Sequence, residues 1–346
     1  MVREVSKRSQ LAIFFAGALL VMQGSGARSV IAQEGKGDVL LITAHPTEGG
    51  GAYSRIFCVK ADRFGRNVLT PEKAFAADPA LSPDGKRIAF VAVAGDLFAT
   101  PTDMGLYVMN ADGSGRKRLA ENELGDRTPA APHWSPDGKR IAFCTRPQGR
   151  SQHKYRLYVV GADGQNLKRL DTVEAFAPVW SPDGKRLLIT RLYDRGTRRW
   201  NPGLCTVDVD GTNLRELVPW GFTGAWSPDG KSLAFTAMSW PREGKVEAEP
   251  GGLFVAHADG SNPKRIVQLG KQGFHKTEPA LLHFFGFQWS RDSNRLFFSR
   301  VGQRDNDLAK TLSPWTIYVI DADGRNLRQV TAADTPEYLG TATLDH

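Results

Sequence analysis

His133-Trp134-Ser135-Pro136-Asp137-Gly138-Lys139-Arg140-Ile141-Ala142-Phe143 is the stretch on which the architecture turns, because the chain repeats it. Ser-Pro-Asp-Gly recurs from Ser82, Ser135, Ser181 and Ser227, and a decayed copy stands at Ser290-Arg291-Asp292-Ser293. Trp134, Trp180, Trp226 and Trp289 precede four of these turns, with Leu81 before the first. An apolar triplet follows each one, as in Ile88-Ala89-Phe90 or Leu187-Leu188-Ile189. A period of roughly fifty residues with one such turn per unit marks a chain built from repeated four-stranded sheets.

Further along every unit, a second strand pattern runs into an Asp-Gly turn. Examples are Leu106-Tyr107-Val108-Met109 before Asp112-Gly113 and Leu157-Tyr158-Val159-Val160 before Asp163-Gly164. Asp-Gly between β-rich runs is a strong hairpin signal, since glycine accepts positive φ without a Cβ clash. Each unit therefore reads as two hairpins, strands a to d. A sixth c-d hairpin lies early, at Ile56–Asp62 and Gly65–Leu69, preceded only by the strand-like Val39–Thr43. One strand is then missing, and Tyr338–Leu344 in the tail is the candidate for it. The expectation is an all-β, six-bladed propeller of four-stranded antiparallel blades, its first blade closed by the C-terminal strand. Ring closure removes the sheet edges that an open stack would expose.

The arrangement Trp-Ser-Pro-Asp-Gly-Lys, apolar triplet, Leu-Tyr-Val, Ala-Asp-Gly, Lys-Arg-Leu resembles the TolB-like, WD-like β-propeller repeat family. That resemblance implies six blades and, as for TolB proteins, a periplasmic role in the Tol-Pal envelope complex, with the propeller binding a peptidoglycan-associated lipoprotein. TolB has an α/β domain ahead of its propeller, whereas strand signals here begin close behind the N-terminal apolar run. What the resemblance carries over is the scaffold and a tendency to bind proteins.

Arg3, Lys7 and Arg8 precede an uncharged, mainly apolar run from Leu11 to Met22. Such a run is too short to span a bilayer and reads as a secretory leader, cut after Ala27 or Ala32. The expected organisation is a signal peptide over 1–32 and one propeller over 33–346, periplasmic or secreted, monomeric, and without a membrane span once the leader is removed. The net charge of +8 drops with the leader, leaving a mildly basic chain suited to a protein partner or an anionic envelope polymer. Nucleic acid is excluded as a partner by export. Three cysteines cannot all pair within one chain and read as small buried apolar residues.

Repeated residues serve the scaffold, so function is expected where the repeats disagree, in the b-c and d-a connections on the rim opposite the Asp-Gly turns. The binding candidates there are Arg146, Arg150, His153, Arg195, Arg198, Arg199, Trp200, Trp240, Phe285 and Arg304. Arginine beside tryptophan is the pairing enriched at protein interface hot spots, and guanidinium forks suit carboxylates and acidic sugars. His133 precedes a wedge tryptophan and is expected on an inner strand lining the channel. Asp208-Val209-Asp210-Gly211 and Asp321-Ala322-Asp323-Gly324 imitate the opening of an EF-hand loop but lack its remaining ligands, and hairpin turns explain them. No Gly-x-Ser-x-Gly elbow is present. The expected function is a non-enzymatic binding scaffold with no cofactor, no metal and no catalytic residue. The alternative is a lyase or lactonase working in the channel.

Overall fold

The computed structural model describes residues 29–33, 39–44, 55–60, 63–71, 75–93, 104–120, 124, 127–147, 155–170, 174–193, 201–240, 249–268, 284–300 and 316–329. Among them there is no helix, and the strands form six four-stranded sheets. The first holds β1 (Ser29–Gln33), β2 (Val39–Ala44), β3 (Arg55–Lys60) and β4 (Arg63–Val68); the second β5 (Ala76–Leu81), β6 (Arg87–Val93), β7 (Met104–Asn110) and β8 (Lys117–Leu119). The third holds β9 (Arg127–Trp134), β10 (Arg140–Pro147), β11 (Arg156–Gly161) and β12 (Lys168–Leu170); the fourth β13 (Phe176–Trp180), β14 (Arg186–Tyr193), β15 (Asn201–Asp208) and β16 (Arg215–Val218). The fifth holds β17 (Gly224–Trp226), β18 (Ser232–Trp240), β19 (Glu249–His257) and β20 (Lys264–Gln268); the sixth β21 (Phe284–Trp289), β22 (Arg295–Arg300), β23 (Thr316–Asp321) and β24 (Arg328–Gln329).

Every sheet runs in sequence order with antiparallel neighbours. The inner strands β1, β5, β9, β13, β17 and β21 each lie against the next, and β21 lies against β1, so the ring closes. This corrects the expected mode of closure. The inner strand of the first sheet is β1, from the N-terminal side, paired from Ser29↔Thr43 to Gln33↔Val39. A slot already filled by a strand contiguous with β2 needs no strand from the tail. Tyr338–Leu344 lie outside the described residues. β1 also overlaps the leader boundary expected at 32.

The cores sit between sheets. Trp134, 3 % exposed, packs with Ala89, Leu106 and Val108 of the second sheet and with Ile141, Phe143 and Val160 of its own. Trp180, Trp226 and Trp289 repeat this between the following pairs, and Leu81 fills the place between the first and second. A flat aromatic ring covers about 200 Å², enough area to fill the wedge-shaped gap between two twisted sheets. The indoles also reach across: Trp134 Nε1 donates to Ala80 O at 2.9 Å, Trp180 Nε1 to His133 O at 3.1 Å and Trp289 Nε1 to Ala225 O at 3.1 Å.

The Ser-Pro-Asp-Gly turns close on themselves. Ser135 Oγ donates to Asp137 Oδ1 at 2.5 Å and accepts from Arg140 N, while Lys139 N donates to the same carboxylate oxygen. Ser82, Ser181, Ser227 and Ser290 make the corresponding bonds. In the Asp-Gly turns, Asp210 accepts from Thr212 N and Thr212 Oγ1, and Asp323 accepts from Arg325 N. These carboxylates act as turn acceptors, as their recurrence in each unit requires.

Candidate functional site

Strand direction separates the two rims. Each inner strand runs toward its Ser-Pro-Asp-Gly turn, so the ends at Arg127, Phe176 and Phe284, and the far ends of β10, β14 and β18, all face the opposite rim. The connections 94–103, 148–155, 194–200, 241–248 and 301–315 leave and return there. Of the sequence-derived binding residues, Arg150, His153, Arg195, Arg198, Arg199, Trp200 and Arg304 lie outside the described residues. Trp240 ends β18 and Phe285 stands in β21, both toward this rim. Arg146, half-buried near the end of β10, is the candidate whose surroundings are visible.

Those surroundings contain residues the sequence reading passed over. β5, β9 and β13 each carry a bulge with one residue in the left-handed region: Asp78 (φ 50°), Ala131 (φ 48°) and Ala177 (φ 51°). Alanine stands there twice, but the second sheet has aspartate. Asp78 Oδ2 accepts from Ala131 N at 3.0 Å, tying one bulge to the next. Burial pushes the Asp78 carboxyl above its usual range, while the Ala131 N–H and the nearby Arg146 charge hold it down. Arg127, 9 % exposed, donates from Nε to Thr145 Oγ1 and from Nη2 to Thr145 O, so its guanidinium is locked beside Arg146's strand.

Next to this polar group lies an aromatic row crossing three sheets. Tyr155 and Phe176 have centroids 5.3 Å apart, and Phe176 meets Phe222 edge-on at 5.8 Å. Cys144, Ala130 and Ala177 pack beneath them. Toward this rim the fold gathers a carboxylate, a half-buried guanidinium, a phenol and two phenyl rings, of which Phe176 is buried. No signal in the repeat pattern could have assembled them, because the contributors come from four sheets and 145 residues of chain.

Neither Cys144 nor Tyr155 is activated as a nucleophile. Burial pushes the Cys144 thiol up to about 12 and raises the Tyr155 phenol. Cys144 and Cys205 are buried, as expected for small core residues. The Cys58 side chain lies outside the description. His133 does lie on an inner strand, but its role is in the seam: Nδ1 sits 3.1 Å from Trp134 O and its carbonyl accepts from Trp180 Nε1. Burial holds its pKa down to about 4, so the ring is neutral at physiological pH. Among the described residues no three His, Cys, Asp or Glu side chains converge as metal ligands.

A cavity of about 450 Å³ opens on the other rim, between the second and third sheets, lined by Arg87, Lys139, Arg140 and Asp163. Its cations belong to the scaffold. Arg87 lies 4.7 Å over Trp134 and donates to Gly138 O at 2.8 Å; Arg140 lies 4.6 Å over Trp180 and donates to Gly184 O. Lys117 and Lys168 likewise reach Asp163 O and Asp210 O of the next sheet. Lys86, Lys139, Lys185 and Lys231 are exposed, whereas the arginine after each of the first three lies against the next sheet, over its indole.

Residues 51–215 match the family described as TolB beta propeller domain. The chain is a β-propeller whose repeats over that stretch are TolB-like. TolB from Acinetobacter baumannii superposes with a TM-score of 0.57 at 17 % identity, over 84 % of this chain and 62 % of that one. The β-propeller domain of the trilobed protease from Pyrococcus furiosus, described as having an open velcro topology, gives 0.54 at 12 % identity over 88 % and 84 %. Dipeptidyl-peptidase 5 from Porphyromonas gingivalis is 38 % identical over 88 residues, which are 24 % of this chain and 12 % of that protein. The chain thus matches only a small part of its curated relative. Its six sheets, each contiguous in sequence, close by packing of β21 on β1.

Proposed function

We propose that the TolB-like propeller works outside the cytoplasm as a binding scaffold that holds a protein or an anionic envelope polymer at the rim bearing the long connections. The observation that carries this reading is the asymmetry of the two ends. On one rim the carboxylates of the turns are engaged within their own hairpins, and three arginines sit over the wedge indoles. The other rim presents Arg146, Asp78 and the row Tyr155, Phe176 and Phe222, flanked by connections whose sequences do not repeat. Aromatic rings and guanidinium groups supply contact area and forked hydrogen bonding, the combination found at interface hot spots. Leu11 to Met22 behind a basic start supports export. Among the described residues no helix is long and apolar enough to cross a membrane.

The test is capture of envelope components by the purified propeller with two sets of substitutions. Arg195→Ala, Arg198→Ala and Trp200→Ala together, or Arg146→Ala with Tyr155→Ala, are expected to abolish capture. Lys139→Ala with Lys185→Ala on the turn rim is expected to leave it intact. Retention of every captured species by both long-connection variants contradicts the assignment.

A further inference from the structure

The leader reading and the ring make competing claims on one segment. β1 is the inner strand of the first sheet, paired over Ser29↔Thr43, Val30↔Ile42, Ile31↔Leu41, Ala32↔Leu40 and Gln33↔Val39. It also lies against β21 on one side and β5 on the other, so it joins the sixth sheet to the second around the ring. Two small-residue sequences follow the apolar run, Ser25-Gly26-Ala27 and Val30-Ile31-Ala32. A cut after Ala32 deletes all of β1 except Gln33. It strips the inner edge of β2 of its hydrogen-bond partner and removes the strand against which β21 closes. A cut after Ala27 leaves Arg28 as the first residue, immediately ahead of Ser29, with all five strand residues retained. Ala27 also lies close behind the apolar run, whereas Ala32 is separated from it by residues that the ring uses.

We infer that the exported chain is processed after Ala27, and that the new N-terminal segment is itself the inner strand that closes the ring. The step is hydrolysis of the Ala27–Arg28 peptide bond by a leader peptidase of the export machinery. Water supplies the oxygen for the Ala27 carboxylate, and its two protons go to the Arg28 nitrogen, which leaves as an ammonium group. Peptidases act on extended, unpaired chain, and Val30–Ala32 is paired with Leu40–Ile42 of β2 once the ring forms. A cut after Ala27 spares all of Ser29–Gln33 and is the one compatible with a completed first sheet.

This inference rests on the export reading, and one measurement separates the two. The full-length chain is expressed, the exported fraction recovered, and its first residues determined by N-terminal sequencing and intact mass. The expected N-terminus is Arg28. An exported chain beginning at Gln33, or exported uncut, overturns the processing site and leaves export standing; a chain found uncut in the cytoplasm overturns both. A second measurement compares leaderless chains beginning at Arg28 and at Gln33. The shorter chain is expected to melt at a lower temperature or to lose its cooperative transition. Equal melting points would show that another segment, such as Tyr338–Leu344, fills the slot, and would overturn the role given to β1.

Discussion

At the level of single residues, the serine-aspartate pair in each a-b turn does more than set a backbone angle. Asp84, Asp137, Asp183, Asp229 and Asp292 are all held below the ordinary carboxylate value, chiefly by the serine hydroxyl two residues earlier. A carboxyl whose pKa is lower folded than unfolded stabilises the fold above the unfolded value, and that contribution disappears as pH falls through the folded one. Stability should therefore decline as pH drops below 3.8, the unperturbed value of these groups. Asp137→Asn with Asp183→Asn keeps an acceptor in each turn but removes the titration. Urea midpoints for this variant should be lower than wild type at neutral pH, and the gap should narrow as pH falls below 3.8. A variant whose deficit does not change with pH would show that the turn carboxylates are not the source. Asp78 differs in kind. It sits at a bulge position that alanine fills in the next two sheets, and its carboxylate joins two inner strands through Ala131 N.

For the elements, the second sheet is joined to the third, and the third to the fourth, by a repeated set of contacts that crosses the gap. The wedge indole is buried on both faces, the arginine following the preceding turn stacks over it, and a lysine on the outer strand reaches the next Asp-Gly turn. Within sheets, an aromatic pair stacks across the middle strands, as in Phe90 on Tyr107, Phe143 on Tyr158 and Phe298 on Tyr318. The fourth sheet breaks this pairing with Ile189 opposite Cys205, which explains why that cysteine is fully buried. Trp180→Ala should cost about 3–5 kcal/mol, the range for emptying a buried aromatic site. Arg140→Ala, which removes the stacked cation above the same ring, should cost only about 0.5–1 kcal/mol. Chemical denaturation of both variants checks the order, and equal losses would mean that the arginine, not the indole, holds the seam.

In the whole molecule one sheet departs from the repeat. Register places Ala32 opposite Leu40 and Val59, where the other sheets place Leu81, Trp134, Trp180, Trp226 and Trp289 opposite the same strand positions. At that register position the first sheet carries an alanine, where four of the others carry an indole. No strand is exchanged between them, since all six sheets are built from consecutive chain. Burial of apolar area contributes about 25 cal/mol per Å², and a methyl group offers less area to bury at that position than an indole. Native-state hydrogen exchange should show amides of β1 and β2 opening at lower free energy than those of β9 and β10. Uniform protection around the ring would contradict that ranking.

The sequence alone determined the unit and its repetition, because Ser-Pro-Asp-Gly, Asp-Gly and the wedge position are local devices, each legible from a few consecutive residues. It also determined which rim would carry the turns, since strand direction follows from turn order. The patch formed by Asp78, Arg127, Arg146, Tyr155, Phe176 and Phe222 was beyond its reach: these residues meet only when four sheets are wound around one axis. The choice of strand for the first sheet belonged to tertiary structure as well. Ser29–Gln33 and Tyr338–Leu344 both have the composition of a strand, and only register against β2, together with contact to β5 and β21, decides which one occupies the slot. Local chemistry specifies hairpins, whereas closure is a contact between chain segments that no local pattern encodes.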